Sequence, residues 1–162
     1  MVLVNPKLEA YAANKPKFDI QEYFNGEIKA WGVVQDWRGR ITTRFDVDMY
    51  GAWEGDRGVL NERFTYYNGK RQNRVWKIKK LSDHEYQGTA DDILGIAKGK
   101  QNGNAVNWHY AMQLPVNDKT YHFKFDDWMW QLNDGIVINR SYIKKFGITV
   151  AELTLFMQKV EK

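Results

Sequence analysis

The sequence contains no cysteine. Disulfide staples, thiolate nucleophiles and thiolate metal sites are therefore excluded. It has only three prolines, Pro6, Pro16 and Pro115, so nearly every residue keeps a backbone N–H for ladder pairing. No apolar run approaches the roughly 18 residues that a membrane-spanning helix needs. No block of like charge exceeds a few residues, and the formal charge of +4 is spread along the chain. So small and even a balance argues against a nucleic-acid partner, while its sign suits an anionic ligand or an acidic membrane surface. The start, MVLVNPKLEAYAANKPKFDI, lacks the charged head, apolar centre and cleavage site of a signal peptide. The chain as given reads as soluble.

Several chemistries lack their residues. His84, His109 and His122 stand far apart without metal-ligand spacing, so neither a metal nor a cofactor is expected. The two serines, Ser82 and Ser141, lie outside any nucleophile-elbow pattern. The glycine-rich run KGKQNGNA, Lys98–Ala105, reads as a loop without the P-loop pattern.

What the chain has in excess is aromatic residues, with 7 Trp, 9 Tyr and 8 Phe, set in runs that alternate with period two. In Arg40–Glu54, Ile41, Thr43, Phe45, Val47, Met49 and Trp53 share one face. In Ala105–Leu114, Val106, Trp108, Tyr110, Met112 and Leu114 do the same. Arg38-Gly39, Gly55-Asp56-Arg57-Gly58 and Asn68-Gly69 punctuate such runs as hairpin turns. The pattern predicts an all-β fold, a single antiparallel up-and-down barrel of about ten strands, with a two-sheet sandwich as the other architecture. Residues 23–162 form the barrel domain and 1–22 an N-terminal extension, with a short helical turn over Pro6–Asn14. Thr149–Lys159 fits either period and is read as a strand, because a barrel's last strand must close on its first.

Register places charges inside. In GVLNERFTYYNGKRQNRVWKI, a three-residue loop Tyr67-Asn68-Gly69 keeps both apolar faces inward and sets Glu62 opposite Arg74. Two readings follow: an internal ion pair that satisfies itself, or an Arg74 that receives an anionic head group while Glu62 orients it. Along β-like Tyr121–Leu132 the apolar positions change parity across Asp126-Asp127, which predicts a β-bulge there. Trp128 and Trp130 would then face inward. Asp126 or Asp127 is either a cavity acid or a partner for the backbone groups that the bulge frees. Ile136, Ile138, Arg140 and Tyr142 share a face, making Arg140 a second candidate inward cation, either for a ligand's carboxylate or phosphate or for an internal partner such as Asp126 or Asp127. Trp76, Tyr86, Trp108, Tyr110, Trp128 and Trp130 take the apolar phase of their strands and either line a cavity or fill a core.

The runs YFNGEIKAWGVVQDWRGRITTRFDV, GVLNERFTYYNGKRQNRVWKI, YQGTADDILGIAKGKQNGNAVNWHYAMQLPV, FDDWMW and INRSYIKKFGI resemble an uncharacterised bacterial family, the domain of unknown function numbered 3833. The resemblance spans about Tyr23 to Phe156. It implies a lipocalin-like (calycin-like) barrel and, because members are often envelope lipoproteins, a periplasmic or envelope location. It implies no activity. Asp36, Arg44, Glu62, Arg74, Asp91, Asp92, Asn139, Arg140, Lys145 and Phe146 are among the positions that resemble the family's recurrent ones. The chain departs from it in lacking the leader and the lipidated cysteine. The function expected is binding or carriage of a hydrophobic or amphipathic ligand with an anionic end, such as a fatty acid. The alternatives are a barrel enzyme acting on a small organic acid through carboxylate chemistry and a ligand-free structural protein of the envelope. Oligomeric state is open.

Overall fold

The computed structural model describes residues 7–161. Ten antiparallel strands close into one up-and-down barrel in which each strand pairs with its chain neighbours. They are β1 (Gly26–Asp36), β2 (Ile41–Glu54), β3 (Arg57–Tyr66), β4 (Arg71–Lys80), β5 (Glu85–Thr89), β6 (Ile93–Asn102), β7 (Ala105–Val116), β8 (Lys119–Gln131), β9 (Ile136–Lys145) and β10 (Ile148–Lys159). The ambiguous C-terminal segment is a strand, with Ile28 opposite Lys159 and Asp36 opposite Ala151, which closes the last strand on the first. Ahead of the barrel come a 3-10 turn, Leu8–Tyr11, and one short helix, α1 (Ile20–Tyr23). Pro6, the first residue of the expected helical turn, lies outside the described residues. Among the described residues no helix is long and apolar enough to cross a membrane.

Turn chemistry sets the register. Between β3 and β4 the Tyr66 N–H meets the Lys70 carbonyl at 2.9 Å, leaving the loop Tyr67-Asn68-Gly69 with Gly69 at φ +90°. Glu62 consequently faces Arg74 across the ladder. The run KGKQNGNA is not a loop. Its first part is the end of β6, where Gly99 lies beneath the Trp108 ring. A Cβ there would sit 2.6 Å from that ring, so this glycine makes room for a tryptophan rather than for a turn.

α1 plugs one end of the barrel. Asp19 caps it by accepting from the Glu22 N–H at 3.1 Å. Phe18, Ile20, Tyr23 and Phe24 are 0–4% exposed, and each such side chain contributes about 1.5–3 kcal/mol on burial. Gly51 admits the plug: a Cβ would collide with the Phe24 carbonyl. Lys159 Nζ donates to the carbonyls of Glu22, Tyr23 and Asn25, each at 2.7 Å, and so satisfies acceptors at the end of α1. Gln101 ties the plug to β6 by accepting from the Ile20 N–H at 2.8 Å. A second apolar cluster, Ile93, Met112, Phe125 and Ile143, packs between β6 and β9 away from the plug.

The bulge expected at Asp126-Asp127 is absent. β8 pairs with β7 and with β9 in unbroken register through both aspartates. The inward row is Tyr121, Phe123, Phe125, Asp127 and Met129, and the phase never changes. The apparent change of parity arises because Trp128 and Trp130 are apolar residues on the outside. Tyr11, from the 3-10 turn, covers them with ring centroids 5.9 and 6.4 Å away. Trp130 belongs to an outer apolar row that the registers trace from Trp31 through Phe156 and Ile138, and Trp128 lies on the same face between Asn107 and Arg140. Irregular pairing occurs elsewhere, at Val34/Gln35, Thr149/Ala151 and Leu94/Lys98.

Candidate functional site

Above the plug the barrel encloses a cavity of about 110 Å³. Its floor is Ile20 and Phe24, and its walls carry Val47, Met49, Leu60, Leu155 and Met157. Period-two alternation brings these side chains inward from strands that are far apart in sequence. The opposite end of the barrel, its mouth, carries the turns that follow β1, β3, β5, β7 and β9.

Polar residues occupy the cavity wall. Glu62 and Arg74 come from neighbouring strands, with side chains 12% and 18% exposed and Arg74 Nη1 4.0 Å from Glu62 Oε1. The same carboxylate oxygen accepts the Trp76 indole N–H at 2.7 Å. Arg74 turns its other edge to Asp92, donating from Nε at 3.0–3.1 Å and from Nη2 at 2.8 Å. Asp92 precedes β6 and stands at the mouth, so the guanidinium lies between an inner and an outer carboxylate. The Phe64 ring lies 5.1 Å from the guanidinium carbon.

Across the cavity, Asp127 is 6% exposed. Asn139 Nδ2 donates to its Oδ1, and the Tyr110 hydroxyl donates to its Oδ2 at 3.3 Å. Burial pushes the Asp127 carboxyl up to about 7; the Asn139 and Tyr110 hydrogen bonds pull against it and the Glu62 charge adds to it. Burial also raises Glu62, against the opposing pull of Arg74 and the Trp76 N–H. The Tyr110 hydroxyl is held well above its ordinary value by burial, with the Asp127 charge adding to it. Ser141 stands opposite Asp127 in the ladder, and its fully buried Oγ has no hydrogen-bond partner among the described residues.

Of the residues expected at the site, Glu62, Arg74, Trp76, Trp108, Tyr110 and Asp127 line the cavity. Asp126, Trp128, Trp130 and Arg140 do not. Asp126 points outward between His109 at 3.7 Å and Lys144 at 3.8 Å. Arg140 is also outside, 3.8 Å from Glu152. The inward row of β9 is Val137, Asn139, Ser141 and Ile143, one residue out of phase with the expected face. Ile136 and Ile138 misled because they are apolar residues on the outer face of β9. Tyr86 is inside but below the cavity, edge-on to Trp53 beside the plug, with ring centroids 6.2 Å apart. Sequence reasoning missed Asn139 because it set β9 one residue out of phase, and Asp92 because its partner Arg74 lies 18 residues away in the chain.

Two of the comparisons with known proteins bear on this geometry. The family described as Protein of unknown function (DUF3833) matches residues 1–159. The chain belongs to this family. No curated relative matches the sequence. Among solved structures, this DUF3833 protein is similar to the S-type phycobiliprotein lyase CPES from Guillardia theta, with a TM-score of 0.59 and 8% identity over 88% of this chain and 92% of that one. At that identity the likeness is one of fold, and it supports the lipocalin-like barrel.

Proposed function

We propose that this DUF3833 protein binds a small, largely apolar ligand inside the barrel, with the ligand's polar end among Glu62, Arg74, Tyr110 and Asp127. One observation carries this reading: an apolar cavity, closed at the plug, holds a charged and hydrogen-bonding cluster in its wall. A structural core has no need of buried carboxyl groups at such cost, whereas a binding site uses a few polar groups to orient an apolar guest. A volume near 110 Å³ lies below the ~300–1,000 Å³ of drug-sized sites, which favours a compact guest. A fatty acid would need side chains such as Met129 and Met157 to move aside.

The test is extraction of purified protein with organic solvent and mass spectrometry of the extract, followed by titration of the recovered compound against the emptied barrel. Saturable binding that Met129→Trp blocks by filling the cavity supports the reading. A barrel that yields no compound and takes up no small apolar molecule overturns it.

Two further parts of the reading have their own support. Asp127, buried and near neutrality, suits acid–base work on a bound guest. Turnover unaffected by Asp127→Asn would remove that role. At the mouth, Phe146 and Trp37 are 91% and 71% exposed. Lys145 Nζ lies 4.9 Å from the Phe146 ring, and the Arg38 guanidinium lies 4.6 Å from the Trp37 ring. Aromatic tips backed by cations suit an acidic lipid surface. Co-sedimentation with phosphatidylglycerol vesicles that Trp37→Ala and Phe146→Ala abolish supports such docking, and equal binding by these variants contradicts it.

A further inference from the structure

We infer that the cavity selects a ligand whose polar end is a cation, an ammonium or amidinium group, and disfavours a carboxylate. This rests on the ligand-binding reading and names the class of guest. It also reverses the anionic end that the sequence suggests.

The charges around the cavity decide the sign. Glu62 of β3, Arg74 of β4 and Asp127 of β8 line it, and Asp92 stands at its mouth. The residues contributed by β2 and β10, Phe45, Val47, Met49, Leu153, Leu155 and Met157, bring no charge. Three carboxyl groups thus meet one guanidinium. That guanidinium is already committed: its Nε–Nη2 edge is taken by Asp92 and its Nη1 faces Glu62. An incoming carboxylate would find no free bidentate edge and would lie beside Glu62 and Asp127. A cation finds the reverse. Among the described residues the Asp127 carboxyl is met by the neutral donors Asn139 and Tyr110 alone, which leave lone pairs over. The aromatic side chains of Trp76, Trp108 and Tyr110 line the same space, and aromatic walls suit a positive charge better than a negative one. Ser141 Oγ, buried opposite Asp127, adds an uncommitted hydroxyl near this group.

The same arrangement links binding to protons. A bound ammonium stabilises ionised Asp127, so binding releases a proton and strengthens as pH rises through neutrality. The other groups facing Asp127 are Glu62, Arg74, Tyr110 and Asn139. Asp126, on the outer face with His109 and Lys144, acts on it at longer range.

Benzylamine, benzyl alcohol and benzoate share one ring and differ in the charge of the end group. Isothermal titration of each at about pH 6 and about pH 8 is the test. The inference expects benzylamine to bind at least tenfold tighter than benzoate and to gain severalfold from the lower to the higher pH. Asp127→Asn, or Glu62→Gln should that variant fold poorly, lowers benzylamine affinity about tenfold, and Asp127→Asn removes the pH dependence. Benzyl alcohol or benzoate binding as tightly as benzylamine overturns the inference and leaves the ligand-binding reading standing. No binding by any of the three at millimolar concentration overturns both.

Discussion

Arg74 holds Asp92 through two nitrogens at 2.8–3.1 Å while its third stands 4.0 Å from Glu62. The guanidinium therefore bridges a carboxylate inside the barrel and one at its mouth. Removing it leaves Glu62 buried without its counter-charge. Arg74→Met is expected to destabilise the protein by about 3–5 kcal/mol in urea unfolding, the usual cost of breaking a buried pair from one side. Asp92→Asn is milder, about 1 kcal/mol. By removing the charge that holds the Nε–Nη2 edge and competes for it, the substitution should also raise benzoate affinity about tenfold, read by the same titration as above. Unchanged benzoate binding in Asp92→Asn would mean that Asp92 does not guard Arg74.

Asp127 gives a pH signature. Its folded value of about 7 lies above the unfolded 3.8, so the folded state keeps the proton longer. Stability linked to this group is full below pH 3.8 and is lost as pH rises through 7. The full separation corresponds to roughly 4 kcal/mol, an upper figure because Glu62 shares the titration. Asp127→Asn removes the loss. Denaturant melts across this range should show the variant gaining on wild type as pH rises and matching it in acid. Parallel pH profiles for the two proteins would contradict the assignment.

Gly99 bears the Trp108 ring, and Trp108 is a cavity wall. Gly99→Ala is expected to cost about 1–3 kcal/mol, the range for overpacking a core. It should also shift the Trp108 indole signal in NMR spectra. A variant as stable as wild type would show that the ring yields freely.

Lys159 fixes the plug from the last strand through three carbonyls. Lys159→Met should cost about 1–2 kcal/mol. Faster amide exchange at Tyr23 and Phe24 would localise the loss at α1, whereas uniform exchange would not.

The barrel was legible because its strands alternate. The Glu62–Arg74 pairing followed from one turn, since Gly69 permits only one register that keeps both apolar faces inward. Parity failed where the outside is also apolar. Trp128, Trp130, Ile136 and Ile138 lie on an outer row, partly beneath Tyr11, and a period-two reading cannot tell a covered outer face from an inner one. That single ambiguity sent Asp126 and Arg140 inward and hid Asn139. Asp92 was not tied to Arg74 for another reason: the two are 18 residues apart, with β5 and the turns on either side of it between them. The plug also left little local signal, because α1 is a four-residue helix made by its contacts with Gly51, Gln101 and Lys159.

The most direct test uses the tryptophans themselves. The seven indole N–H groups separate into Trp53, Trp76 and Trp108 inside the barrel and Trp31, Trp37, Trp128 and Trp130 on its outer faces and turns. Trp76 reports from the cavity, because its N–H donates to Glu62 at 2.7 Å. Titrating benzylamine into uniformly ¹⁵N-labelled protein should move the Trp76 and Trp108 indole resonances first and leave Trp31 and Trp128 in place. Shifts confined to the outer tryptophans, with Trp76 unmoved at saturation, would contradict a binding site inside the barrel.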